Sequence, residues 1–466
     1  MDSYAVATEE SDTREAYSSS LDTILTKGSI WRTLLNFTIP YLLACVLQTM
    51  DGTIDLIIVG QFSPLVSDLS AVSNGSHIIH VITNVISGFT MGSTVLIGQY
   101  VGAGRHESVS RAIGTTLTLF FCIGTISSIV IIASSSLIIR TMNIPTEAMA
   151  ATSDYIIICG CGLVFFTAYN TFSAILRGLG DSKSPLVFIA IGCAIHIAGD
   201  ILLIGVFGLG VRGAAYTTVS AQGLSVLFAF YRLKYRHNAF DFKLRSFRPN
   251  RSDARKITRV GMPIATEYAL VNASFVFISA MINSFGVVAS AAIGVCEKIG
   301  ALARVPASAF SASVAAMVAQ NMGAGLLVRS RRTLWTSIGM SLALSFVFFA
   351  VVHFIPIPIL RIYTDNGDVI AAAVEYMRSF NFDTLLVCGT FCMAGFFAGC
   401  NKSLFTLIRN MASTFLVRVP LAYIFCHASE INLFKIGLAA PIASAASIII
   451  CLLYYKFGRW SEQTLV

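Results

Sequence analysis

The chain is 466 residues long, enough for three globular units at roughly 150 residues per soluble domain. Composition excludes that reading, because hydrophobic residues make up 55% and charged residues only 12%, about half the charged share of a soluble protein. The net charge of +8 does not mark a nucleic-acid binder either. Its lysines and arginines sit in short segments between apolar runs, not in a basic tract interleaved with aromatics.

Residues 1–28 are polar and carry Asp2, Glu9, Glu10, Asp12, Glu15 and Asp22. They lack the basic and apolar regions of a cleaved signal and are expected to form a disordered cytoplasmic tail. A helix needs ~20 apolar residues to cross a ~30 Å hydrocarbon core, and twelve such runs follow. The first half gives 33–60, 69–100, 112–138, 151–176, 185–206 and 213–232, and the second gives 257–284, 287–320, 334–358, 374–398, 406–427 and 437–456. The expected fold is an all-α integral membrane protein of twelve transmembrane helices in two six-helix lobes.

The domains expected are the tail 1–28, an N-lobe over 29–235, a basic cytoplasmic loop over 236–256, a C-lobe over 257–456 and a tail over 457–466. With the N-terminus inside, 24 lysines and arginines, Arg409 among them, fall on the cytoplasmic side. Only Arg140, Arg212, Arg361 and Lys435 fall opposite. That bias predicts cytoplasmic termini in a cell inner or plasma membrane.

Comparing the chain with itself reveals a repeat. Gln99-Tyr-Val-Gly-Ala-Gly104 returns as Gln320-Asn-Met-Gly-Ala-Gly325, Arg111 matches Arg332, Asp154-Tyr155 matches Glu375-Tyr376, and Gly178 matches Gly399, all at an offset of 221 residues. Pro40 and Pro263 match at 223. Six helices is an even number, so both copies enter from one side. They should be related by a pseudo-twofold axis along the membrane normal, an arrangement that allows alternating access.

Ionisable residues inside spans cost at least ~2.5 kcal/mol each and call for a reason. Asp51 and Asp55 share one face of the first helix, as His196 and Asp200 do of the fifth, since each pair is spaced i,i+4. Two carboxylates close together in low dielectric do not readily ionise together, and a histidine one turn away can share a proton. In the second half, Glu267 and Glu297 are each candidates to pair with Arg304 or Arg418, or to bind substrate together with Asp383. Phe275, Met281, Met317 and Met393 are candidate cavity residues; helix packing is the commoner use of such side chains. No metal is expected: His77-x-x-His80 has no acid nearby, and the eleven cysteines show no CxxC or zinc spacing. A P-loop is missing too, so ATP hydrolysis does not supply the power, and no enzyme constellation appears. Gly178-Leu-Gly-Asp-Ser-Lys183 reads as a tight turn.

Taken together, these residues resemble the multidrug and toxic compound extrusion family of antiporters, from about Gly28 to Arg459. The likeness rests on Pro40…Gln48…Asp55…Val59-Gly60, Gln99–Gly104, Tyr169-Asn170…Arg177–Pro185, Gly210–Thr218, Gly261-Met-Pro263, Gln320–Gly325 and Arg418-Val-Pro420. It points to the DinF-like bacterial branch, whose cation site lies in the N-lobe. By motif that site falls on Asp55, His196, Asp200 and Thr218, with Gln48 and Asn170 lining the same cavity. The chain departs from the family pattern at His196, usually Asn, at Asp51, usually Tyr, and at Glu267, commonly an amide.

The added titratable groups favour protons over Na+ as the coupling ion, with no other cofactor. The expected function is export of amphipathic, cationic organic compounds by a monomer in the bilayer, with no nucleic-acid partner. A flippase or exporter of a lipid-linked or other endogenous metabolite, related in fold, is the alternative. A passive channel, a receptor or an enzyme fits less well.

Overall fold

In the computed structural model, residues 25–63, 65–142, 144–236, 240, 243–283, 285–427 and 432–461 are described. Residues 1–24 of the tail expected over 1–28, and part of the basic loop, lie outside them, while Leu25 is buried rather than part of a solvated tail. The six spans of the first half are α1 (Ile30–Phe62), α2 (Val66–Gly102), α3 (His106–Thr141), α4 (Thr146–Leu179), α5 (Lys183–Asp200, continued by the π-helical turn Ile201–Val206) and α6 (Gly210–Arg236). The second half repeats them as α7 (Arg251–Asn283), α8 (Val287–Gly323) and α9 (Leu327–Phe354). A two-part α10 (Gly367–Phe380 and Asp383–Gly399) follows, then α11 (Ser403–Met411, π-helical Ala412–Arg418, Val419–Cys426) and α12 (Leu433–Phe457).

Among the described residues, eight of these helices are long and apolar enough alone to cross a bilayer. The halves of α10 do so together across a 46° bend. The remaining spans, α6, α7 and α11, are diluted by Thr, Ser and charged residues. Large apolar side chains stay exposed along the outer faces, such as Phe121, Ile126, Ile129 and Leu137 on α3 and Phe346, Val347 and Val351 on α9. In a soluble protein such stripes would drive association; here they meet lipid.

Small residues set the helix spacing, because apolar side chains gain little from each other when lipid is equally apolar. At the crossing of α2 and α7, a Cβ added to Gly92 would strike the Ile257 carbonyl, and one on Gly261 would strike that of Phe89. The turn after α4 forms as its sequence requires. Gly180 takes φ +94°, a left-handed conformation that favours glycine. The Asp181 carboxylate then accepts the backbone N–H groups of Lys183 and Ser184, both at 3.0 Å, starting α5.

The two halves meet where α2 and α8 end, and the contact obeys the repeat. Gln99 donates through Nε2 to the Gly399 carbonyl at 3.0 Å, and Gln320 donates to the Gly178 carbonyl at 2.9 Å. Both glutamines are 0% exposed. A Cβ on Gly102 would collide with the Gln320 carbonyl, and one on Gly323 with that of Gln99.

The first helix of each half also begins inside the other half. Leu25, Leu34 and Phe37 are buried with Phe310, Val314 and Met317, the Leu25 N–H donates to Gln320 Oε1 at 2.8 Å, and Arg329 donates to the Gly28 and Lys27 carbonyls, both at 2.8 Å. Reciprocally, Ile257, Val260 and Ile264 of α7 share a core with Leu96, Ile113 and Leu176. Tyr100 and Arg111 both donate to the buried Asp253 carboxylate at 2.8 Å. This end is closed.

Candidate functional site

The expected N-lobe residues converge. Asp55 on α1 and His196 and Asp200 on α5 are all buried. His196 Nε2 lies 3.4 Å from Asp55 Oδ1, 3.8 Å from Asp200 Oδ2 and 3.1 Å from Thr218 Oγ1. One ligand atom from each of Asp55, His196 and Asp200 falls within 4.8 Å of the others.

The local sequence explains this geometry. The i,i+4 spacing stacks His196 over Asp200, and the π-helical turn starts at the residue after Asp200, where such turns often mark function. Gly199 lets α6 come close, since a Cβ there would sit 2.8 Å from Thr217 Cγ2. The Thr217 hydroxyl then donates to Asp200 Oδ1, a partner that the motif reading, fixed on Thr218, missed. Val59, Tyr155, Ile204 and Ala214 enclose the group in an apolar shell. In such surroundings an unpaired charge is costly, and a proton or small cation is the cargo that would balance the carboxylates. Two carboxylates, an imidazole and a hydroxyl are a donor set for that cargo.

Gln48 is exposed on α1, and Asn170 donates to the Phe166 carbonyl of its own helix. The side chains of Asp51 and Phe275 lie outside the described residues.

A polar cavity belongs to the other half. It encloses about 260 Å³ between α7, α8, α10, α11 and α12 and reaches Met91 on α2. Its polar wall consists chiefly of Glu267, Arg304, Asp383, Arg409, Arg418 and Ser444. Glu297 pairs with both Arg304, at 3.6 Å, and Arg418, at 3.7 Å, as the sequence suggested for one of the two glutamates. Asp383 accepts a hydrogen bond from Ser444.

Glu267 takes a partner that the sequence reading did not offer. It pairs with Arg409 at 3.5 Å, and Arg409 also donates to Ser447 at 2.9 Å. Arg409 is only 3% exposed, which corrects its count among the cytoplasmic cations. A position six residues past the start of α11, near Lys402, reads as a helix end in sequence but lies in the wall of the half. The expected methionine lining is also corrected. Met317 and Met393 are buried in the apolar core with Phe310 and Phe396, and Met281 packs against the cluster around Ile278 and Ile293.

A buried cluster of two carboxylates and an imidazole in one half, a polar cavity in the other and a closed end between them are parts that a two-lobed membrane transporter needs. Comparison with known proteins makes this specific. The MatE family model matches residues 40–202 and 263–424, most of both halves, and the chain belongs to that family of multidrug transporters. It is 25% identical to the probable multidrug resistance protein YoeA of Bacillus subtilis over 94% of this chain and 96% of the relative. It is also 25% identical to the probable multidrug resistance protein NorM of Thermotoga maritima, covering 94% of each.

Among solved structures, an outward-facing multidrug resistance MATE transporter of the MOP superfamily superposes with TM-score 0.87 at 21% identity, over 95% of this chain and 99% of that one. A MOP superfamily transporter from Pyrococcus furiosus, described as having a binding pocket of reversed polarity, superposes with TM-score 0.88 at the same identity and coverage. At this identity the likeness establishes the twelve-span fold.

Proposed function

We propose that the protein is a secondary antiporter that exports amphipathic organic compounds in exchange for protons, and that the exchange ion binds among Asp55, His196, Asp200 and the Thr217–Thr218 hydroxyls. The observation that carries this reading is the buried N-lobe cluster, standing apart from a polar cavity in the C-lobe. An N-lobe ion site is what the DinF-like branch implies. His196 in place of the usual amide adds a group able to take up a proton, and this favours protons over Na+.

The Lys/Arg bias supports cytoplasmic termini and puts the closed end, with Arg105, Arg111, Lys183 and Lys402 around it, on the inside. The conformation described then faces outward, ready to release substrate and take up a proton. Protonation removes the mutual repulsion of Asp55 and Asp200 and repacks α1, α5 and α6 around them. The ion drives transport only because it binds the two lobe arrangements with different affinity.

The cavity wall favours a second reading of the substrate. Three guanidiniums and two carboxylates, Glu267 and Asp383, line it, with Glu297 paired to two of the guanidiniums, and such a wall accepts a carboxylate or phosphate as readily as an amine. The alternative is therefore an exporter or flippase of an anionic endogenous metabolite.

The test is gradient-driven movement of ethidium into or out of proteoliposomes without sodium, with Asp200→Asn alongside. Ethidium movement that this variant loses supports proton antiport through the N-lobe cluster. Movement that the variant retains would place coupling elsewhere, and movement only under a sodium gradient would replace the proton. A folded protein that leaves ethidium unmoved but exchanges an anionic amphiphile favours the second reading.

A further inference from the structure

A second cavity lies away from the transport site and has a different character. It opens between α3 and α4 beneath the short turn Leu244–Phe247 that leads from one half to the other, and it encloses about 280 Å³. Leu117, Phe121, Val164, Ala168, Phe172 and Phe247 form its apolar wall. Its two polar lining residues are Thr118 and Thr171. Their hydroxyls are both committed to main-chain carbonyls, Thr118 to that of Phe247 and Thr171 to that of Thr167, each at 2.7 Å. With those protons spent, the wall has no hydroxyl proton left to donate to a polar ligand, whereas a hydrocarbon chain fills a space that water does not occupy favourably. Phe121 is 63% exposed on the stripe of α3 that meets lipid, so the mouth faces the bilayer.

The roof supplies the second half of the argument. Phe247 is held edge-on against Phe240 at 5.1 Å. The exposed cations Lys243 and Arg248 flank the turn on either side. Basic groups adjoining the turn that roofs an apolar slot between transmembrane helices match an anionic lipid headgroup above its chain. A zwitterionic headgroup would gain less from the same pair.

We propose that this cavity binds an acyl chain of an anionic phospholipid from the surrounding bilayer, with the phosphate held by Lys243 and Arg248. The site is independent of the coupling ion and substrate read above. Its roof belongs to the connection between the halves, where the Asn250 N–H donates to Thr115 at 3.0 Å. Lipid bound there braces the strap that must move when the halves rock.

The test is native mass spectrometry of the delipidated full-length protein, titrated with phosphatidylglycerol and with phosphatidylcholine. Each rim cation is expected to contribute roughly fivefold to affinity, so phosphatidylglycerol should be retained well over tenfold more tightly. Lys243→Gln with Arg248→Gln should abolish that preference. Ala168→Phe should fill the slot and abolish retention of both lipids with the melting temperature unchanged. If Ala168→Phe does not fold, Val164→Phe blocks the slot one turn away. Equal retention of the two lipids by the wild type, or undiminished phosphatidylglycerol binding by a folded slot-filling variant, overturns the proposal.

Discussion

Replacing Gln320 by leucine should open the closed end while leaving the fold intact. The Gln320 amide donates to Gly178 O at 2.9 Å and accepts from the Leu25 N–H at 2.8 Å, both across the junction of the halves. Each such bond has a net worth of ~1 kcal/mol, and a backbone group left buried without a partner costs ~1–3 kcal/mol. The closed arrangement should therefore lose roughly 2–4 kcal/mol relative to one in which water reaches those groups. This is a shift of about 30-fold or more toward the open end.

Hydrogen exchange followed by mass spectrometry reads that shift directly, because protection at a site reports the free energy of opening it. Peptides covering 99–104, 176–181 and 320–325 should exchange faster by that factor, and peptides around Asp200 should not. Gln99→Leu should change the same peptides in the same direction. Unchanged exchange at these peptides, or an equal loss of protection throughout the protein, would refute the argument that this junction is a gate.

The buried pair in the C-lobe makes a sharper stability test. Glu267→Gln and Arg409→Met should each destabilise the protein by about 3–5 kcal/mol, because each leaves a buried partner unmatched, and the double variant should cost less than their sum. Thermal unfolding in detergent measures this, and strict additivity would mean that the pair does not act as one. Gly199→Ala puts a methyl 2.8 Å from Thr217 Cγ2 and should displace the hydroxyl from Asp200. Proton-driven transport should then fall tenfold or more in a folded protein, and wild-type transport would remove Thr217 from the site. Arg212→Ala serves as a control. Its pair with Asp154 is short, at 2.8 Å, but exposed, so the unfolding temperature should stay at the wild-type value; a clear drop would contradict that.

The spans and the repeat were legible because both are carried by local pattern: apolar runs of bilayer length, and motifs held at one offset. The N-lobe cluster was legible for a related reason. Asp55, His196 and Asp200 are charges where hydrocarbon requires none, and the i,i+4 spacing places two of them on one face. Thr217 was not, since two adjacent threonines point to different sides of α6 and the sequence does not say which meets Asp200. Arg409 was hidden by its neighbourhood, because a cation near a helix start looks solvated until the π-helical turn and the packing of α12 enclose it. The methionines misled in the opposite direction: a soft side chain fills core gaps as well as it lines a cavity. The interleaved starts of α1 and α7 had no local signal at all, being purely a matter of how one half meets the other.

That interleaving bears on how the protein is made. Chains are synthesised from the N-terminus, and early segments fold before later ones exist. When α6 leaves the ribosome, Leu25 and Phe37 still lack the side chains that will bury them. The carbonyl of Gly178 awaits a glutamine not yet translated. A half-finished chain therefore cannot latch, and this end closes only after α8 and α9 are in place. Truncated products are left with an unsealed junction, a natural mark for quality control to read.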